Sequence, residues 1–142
     1  MNKAKKNHVI ISVGSNIEPL PNIKKSKEIL SSEAVFIYAA DSIETAPVGY
    51  LNQANFFNTA FLVITNLTYA DFNFSLKAIE NRMGRERGLI KAGPRIIDLD
   101  IITWNEHFIT KDYYNFEYVS VPVDQIISAM RLDIKGYKKI DQ

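Results

Sequence analysis

Gly93-Pro94-Arg95-Ile96-Ile97-Asp98-Leu99-Asp100-Ile101-Ile102 reads as a β-strand entered through its own turn. At the strand period of two, Asp98 and Asp100 fall on one face, and Ile97, Leu99 and Ile101 on the other. The apolar face calls for a core. The acidic face sets two carboxylates about 7 Å apart along the strand. Held that close they repel, unless a cation sits between them or one takes up a proton. Oxygen-only ligands favour a hard ion, and Mg²⁺ held by one or two carboxylates completes its shell with water and substrate phosphates. Just upstream, Arg85, Arg87, Lys91 and Arg95 outnumber Glu86, so a basic loop runs into the acidic strand. Cations beside a metal-binding acid pair suit a polyphosphate ligand. An Asp-x-Asp also occurs on the wet face of ordinary half-buried strands. Here, though, the strand-averse Asp interrupts a run of Ile and Leu directly after Gly-Pro-Arg, which favours a functional pair. That chemistry requires both side chains to open onto a cavity and not to be tied up in internal salt bridges.

The segment leading into the basic loop predicts a helix. Thr68 caps it, Asp71 completes a capping-box-like pair, and Leu67 with Phe72 forms a hydrophobic staple. Phe72, Leu76, Ile79 and Met83 keep one apolar stripe until Gly84 stops the helix. Before it, Phe56 to Thr65 is a strand of aromatic and β-branched residues. Ala34 to Thr45 alternates as another, ended by Ala46-Pro47-Val48-Gly49. Asn22 to Glu33 suits a helix, with Ile23, Ser26 and Leu30 on one side and a solvated lysine run on the other. His8 to Val13 is a short buried strand that breaks at Gly14-Ser15-Asn16, with Pro19 and Pro21 in the loop beyond.

Downstream of the acidic strand, Asn105-Glu106 turns into a short partner strand, His107 to Thr110. Further on, the reading expects a strand over Val119 to Val123, a short helix from Val123 to Met130 and a frayed end from Lys135 to Gln142. The order strand, helix, strand, strand, helix, strand is the split βαβ, or ferredoxin-like, arrangement. An antiparallel sheet with helices on one side would bury the stripes. The fold class expected is α+β: a ferredoxin-like βαββαβ sandwich with additional C-terminal elements, one domain over residues 1–142.

With 142 residues the chain can bury a real core, and its net charge of +1 gives no global pull toward nucleic acid or membrane. An anionic ligand has to be attracted by local charge. The absence of cysteine excludes disulfides, thiol catalysis and thiolate metal sites, and two histidines, His8 and His107, argue against a multi-histidine zinc site. Lys3, Lys5 and Lys6 before Val9 to Val13 resemble a signal peptide, but the apolar run is too short and ends in polar Gly-Ser-Asn. No apolar run approaches a membrane span, and a cytoplasmic protein is expected. Composition leaves the oligomeric state open.

Gly-Pro-Arg-x-x-Asp-Leu-Asp-Ile resembles the signature of the 6-hydroxymethyl-7,8-dihydropterin pyrophosphokinase (HPPK) family of folate biosynthesis. The resemblance spans roughly residues 9 to 106. It implies transfer of the β,γ-pyrophosphoryl group of ATP to the pterin hydroxymethyl oxygen, with AMP released and two Mg²⁺ ions held by Asp98 and Asp100. Gly14-Ser15-Asn16 matches the family's Gly-Ser-Asn, and Thr45-Ala46-Pro47-Val48-Gly49 its Thr-Pro-Pro-Leu-Gly pterin loop. The resemblance therefore implies a pterin site of Gly14, Thr45, Pro47, Val48, Phe56 and Asn58. Asn58 would hydrogen-bond the ring and Phe56 would stack on it, against plainer readings as a strand polar residue and a core Phe. The implied nucleotide site takes Glu80, Arg85, Lys91, Arg95, Ile101 and Ser120. Arg85 and Arg95 contact phosphate and, with Asp98 and Asp100, make the catalytic set, while Ile101 faces adenine. The plainer reading of Glu80 is an exposed helix charge. No general base is implied.

Departures from the family pattern are specific. Lys91-Ala92 stands where the family often has Arg-Trp, a swap of a two-pronged donor for a point charge and loss of a large side chain. After Val121-Pro122 come Val123 and Asp124 rather than His, and no Arg-x-Phe follows to supply a second stacking aromatic. A tyrosine between Tyr113 and Tyr118 is a candidate replacement. Two other readings stand beside the enzyme: a diverged relative that binds nucleotide or pterin without turnover, and a ferredoxin-like small-ligand regulatory module.

Overall fold

The computed structural model describes residues 5–85 and 92–140, so Arg87 and Lys91 of the basic loop lie outside the described residues, while Arg85 and Arg95 lie within them. Six strands form one sheet: β1 (Asn7–Ser15), β2 (Val35–Ala39), β3 (Ile43–Thr45), β4 (Phe56–Thr65), β5 (Asp98–Trp104) and β6 (His107–Phe108). Their order is β2-β4-β1-β5-β6, with β3 pairing the start of β4, and all these pairings are antiparallel. The class is therefore mixed α and β on an open antiparallel sheet. β1 is central because Val9 to Val13 is apolar on both faces, the pattern of a strand covered on both sides.

Val9, Ile11 and Val13 join Phe61, Val63, Leu99 and Ile101 beneath α1 (Pro19–Glu33) and α2 (Tyr69–Arg82). On the opposite face, Ile10, Ala60, Leu62 and Ile102 pack against Val119, Val123 and Ile126 of α4 (Glu117–Met130). Helices thus cover both faces, which corrects the expectation of helices on one side. The short α3 (Asp112–Asn115) leads into α4, and Tyr113 stacks on Phe108 with centroids 3.8 Å apart. Each fully buried Leu, Ile or Phe contributes about 1.5–3 kcal/mol of burial, so two cores secure this sheet from both sides.

Several local expectations need correction. The single strand expected over 34–45 is two: β2 and β3 pair separately with β4, and the β2 register shifts between Phe36 and Tyr38. α1 starts at Pro19 rather than Asn22, because a proline is well suited to a first helical turn whose N–H groups lack partners anyway. Val119 to Val123 is helical, not a strand. Pro122 forfeits one helical hydrogen bond there, but Val119, Pro122, Val123 and Ile126 are all buried and offset it. The tail is not frayed through Ile140. Lys135 bridges His107 in parallel, and Lys138 N donates to Phe108 O at 2.9 Å. The Thr68 cap stands as expected, its hydroxyl accepting from Asp71 N at 3.2 Å, and Gly84 ends the helix at φ 92°.

Candidate active site

β5 has β1 along one edge, while β6 covers only Thr103 and Trp104 on the other. At Leu99 that second edge is met by side chains of α2. Leu99 N donates to Glu80 Oε2 at 2.7 Å, and Leu99 O accepts from Lys77 Nζ at 2.8 Å. An unpaired strand edge is thereby closed by one anion and one cation. Glu80 is fully buried, which overturns its reading as an exposed helix charge. Its other oxygen accepts from Arg85 Nη1 at 2.5 Å. A buried carboxylate persists only when paired, and Glu80 is held by two cations and a backbone amide.

The two cations continue to the motif. Arg85 Nη1 reaches Asp98 Oδ1 at 2.9 Å, and Lys77 Nζ reaches Asp100 Oδ1 at 3.1 Å. Asp98 and Asp100 both line a groove of about 210 Å³ on the α4 face of the sheet. The expectation that they escape internal salt bridges is corrected: among the described residues Asp98 pairs with Arg85 and Asp100 with Lys77, each through Oδ1. The reason is electrostatic, since two like charges on an edge strand need counter-cations. Their side chains nonetheless remain 36% and 50% exposed, so the pairs hold them in the groove wall without covering them. Burial, then repulsion by Asp98, pushes the Asp100 carboxyl above its ordinary value, with Lys77 opposing.

The rest of the groove brings together most of the expected pterin set. Gly14, Thr45, Val48, Phe56 and Asn58 line it, along with Arg95. Asn58 Nδ2 donates to Thr45 Oγ1 at 2.6 Å, and a Cβ on Gly14 would lie 3.0 Å from Asn58 Oδ1. A side chain there would press on Asn58, which would have to give by a few tenths of an ångström. Asn16 does a different job from the expected tight turn. Its N donates to Arg95 O at 3.0 Å, its Oδ1 accepts from Arg95 N at 2.8 Å, and its Nδ2 reaches Gln53 and Ala54. It fixes the Gly-Pro-Arg segment to the end of β1. Gly49, at φ 85°, brings the Thr45–Gly49 loop against Ala92, where a Cβ would meet the Ala92 Cβ at 2.9 Å.

Other expected residues lie elsewhere. Ile101 is buried in the core beneath α1 and α2, on the far face from the carboxylates, and Ile102 lines the groove instead. Pro47, Ser120, Glu80 and Arg85 do not line it, so Glu80 and Arg85 act on it through Asp98 and Leu99. Lys91 lies outside the described residues. Three lining residues escaped the sequence reading or were left open there: Ser12, Asp112 and Tyr118. Burial and then Asp100 raise the Asp112 carboxyl, and burial followed by Asp112, Asp98 and Asp100 raises the Tyr118 phenol. The spacing of Tyr118 and Asp112 gave no signal, because α3 was not foreseen and the first part of α4 reads as a strand.

A larger cavity, about 740 Å³, lies at the far end of the sheet between Trp104, His107 and Leu132. It holds none of the motif residues, and the smaller groove is the candidate site. Among the described residues no cluster of three or more His, Cys, Asp or Glu could hold a metal. Two groove carboxylates with a deficit of protein oxygens fit a Mg²⁺ that shares phosphates with its ligand. No helix among the described residues is long and apolar enough to cross a membrane.

Residues 10–128 match the family model of 7,8-dihydro-6-hydroxymethylpterin-pyrophosphokinase (HPPK). The folate synthesis bifunctional protein of Arabidopsis thaliana is 30% identical over 135 residues, 94% of this chain and 28% of that protein. The mitochondrial folate synthesis bifunctional protein of Pisum sativum is 32% identical over 90% of this chain and 25% of its own length. The 2-amino-4-hydroxy-6-hydroxymethyldihydropteridine pyrophosphokinase of Bacillus subtilis is 37% identical over 72% of this chain and 63% of its own. The chain thus spans about a quarter of the plant relatives and under two thirds of the bacterial one. Its match to the family model covers most of its residues, and the chain belongs to the HPPK family.

Proposed function

We propose that this chain, acting as one domain of ferredoxin-like type, transfers pyrophosphate from ATP to 6-hydroxymethyl-7,8-dihydropterin. The strand order β2-β4-β1-β5 supports that fold type, with α4 added across the second face. The observation that carries the activity is the shared groove. Asp98, Asp100 and Arg95 occupy it together with Asn58 and the Thr45 loop, so phosphate and heterocycle chemistry meet in one place.

In this reading the heterocycle lies against Phe56, with Tyr118 as the second aromatic wall. Because Nδ2 of Asn58 is given to Thr45, its Oδ1 faces Gly14 as an acceptor for a ring N–H or amino group. Arg95 presents its guanidinium to the β- and γ-phosphates and is fixed by Asn16. The hydroxymethyl oxygen forms a bond to the β-phosphorus, the bond from that phosphorus to the α-bridging oxygen breaks, and AMP leaves with that oxygen. The hydroxyl proton goes to solvent. Asp98 and Asp100 would hold two Mg²⁺ ions, whose charge would neutralise the phosphates and ease loss of that proton. The protein's own work is positioning: Arg85 and Lys77 hold the carboxylates, and Glu80 holds both cations.

AMP formation from ATP tests the reading. It is expected to require both Mg²⁺ and the hydroxymethyl dihydropterin. Val123 and Asp124 in place of the family's His after Val121-Pro122 favour a second reading, ligand binding without turnover. Pterin or nucleotide affinity without AMP under saturating substrates selects it.

A further inference from the structure

Lys77 belongs to α2, on the face of the sheet away from the groove, yet its ammonium reaches round the open edge of β5. There it meets Asp100 Oδ1 at 3.1 Å, Leu99 O at 2.8 Å and Glu80 Oε2 at 3.2 Å. Three oxygens exhaust the three donors of an ammonium. Two of these anchors are fixed, since Glu80 is fully buried and Leu99 O belongs to a sheet strand. The third, Asp100, stays half exposed at the groove. Lys77 itself is the more accessible of the two counter-cations, 33% exposed against 12% for Arg85.

We propose that Lys77 is a positioning residue and resident counter-cation for Asp100, holding that carboxylate in the ion-free protein and competing with an incoming divalent ion for it. The proposal rests on the reading of Asp100 as an ion ligand. An ion that takes Asp100 Oδ1 at about 2.1 Å would displace the ammonium from it, and one on the other oxygen would still meet the charge of the ammonium across the carboxylate. The ammonium cannot retreat far, because Glu80 and Leu99 O still hold it. Its charge therefore continues to oppose the ion after displacement, and it sets the concentration at which the site fills. Arg85 is anchored deeper against Glu80 and keeps Asp98 in place while this exchange occurs.

The test is Mn²⁺ binding to the nucleotide-free protein, followed by the electron paramagnetic resonance signal of free ion. It compares wild type, Lys77→Gln, Lys77→Arg and Asp100→Asn, each shown folded by circular dichroism. Glutamine keeps a donor for Glu80 and Leu99 O but removes the charge, and Lys77→Met serves if that variant does not fold. Lys77→Gln is expected to bind Mn²⁺ about tenfold more tightly, the effect of one charge on a divalent ion through a largely aqueous medium. Its affinity is also expected to depend less on ionic strength, with Lys77→Arg restoring wild-type behaviour. If Asp100→Asn loses the ion while Lys77→Gln gains no affinity, the counter-cation role is overturned and the ion-ligand reading survives. If Asp100→Asn binds as wild type does, the ion-ligand reading falls and takes the proposal with it.

Discussion

Glu80→Ala is the most informative perturbation of the scaffold. Glu80 is fully buried and accepts from Leu99 N at 2.7 Å, from Arg85 Nη1 and from Lys77 Nζ at 3.2 Å. Truncation leaves a strand-edge amide without its acceptor and removes the shared anion from two cations, one of them only 12% exposed. Breaking a buried ion pair from one side costs about 3–5 kcal/mol. For a domain of this size that is a large share of a total of about 5–15 kcal/mol. At roughly 2–4 °C per kcal/mol, the melting temperature falls by about 10–15 °C. Glu80→Gln keeps an acceptor for Leu99 N but not the charge, and is expected to cost about 1–3 kcal/mol. Urea denaturation monitored by circular dichroism gives both values, with wild type and Glu33→Ala as references, since the Glu33–Arg82 pair is exposed. A Glu80→Ala variant within about 1 kcal/mol of wild type would refute the view that this carboxylate organises β5.

Three further outcomes are expected. Asp100→Asn raises the stability of the ion-free protein at neutral pH: the folded state holds the Asp100 proton more tightly than the unfolded chain, so ionisation opposes folding. That gain shrinks as pH falls through the raised folded value toward 3.8 and vanishes below it, and thermal melts across pH 3.5–8 without divalent ions follow it. A gain that grows on acidification contradicts the sign. Gly49→Ala forces a left-handed residue and a 2.9 Å contact with Ala92; it is expected to cost about 1–2 kcal/mol by denaturation and to raise the pterin KM, and unchanged values would show that the loop tolerates a side chain. Asn16→Ala unties Arg95 from β1 and is expected to lower kcat more than it lowers the melting temperature, read by steady-state kinetics beside a melt.

The sequence carried the sheet and the location of the chemistry for a definite reason. Phe56 to Thr65 and Val9 to Val13 are runs rich in β-branched and aromatic residues, and Thr68 and Gly84 are local start and stop signals, so tertiary context had little to add. The groove formed around the motif because Asp98 and Asp100 sit where β5 leaves its neighbour short. Local pattern failed where burial overrode it. Val119 to Val123 has strand-like composition, but one helical face meets Ile10, Leu62 and Ile102 and outweighs both propensity and Pro122. With that helix misread, Tyr118 and Asp112 could not be placed at the site. The adenine-facing role of Ile101 came from the family resemblance alone: strand alternation already sets it beside Leu99 on the core face and puts Ile102 on the face of the carboxylates, which is where both lie. The burial of Glu80 and its tie to Lys77 were not legible, since nothing in an i, i+3 pair reveals that a strand edge lies beside it.

The most direct test of the account is AMP release from ATP, with hydroxymethyl dihydropterin and Mg²⁺ at saturation, by wild type and Asp98→Ala side by side. Wild type is expected to turn over, and Asp98→Ala to fall by at least about a hundredfold while remaining folded. Equal rates in the two proteins, or no AMP from wild type, would contradict the claim that this acid pair carries the reaction.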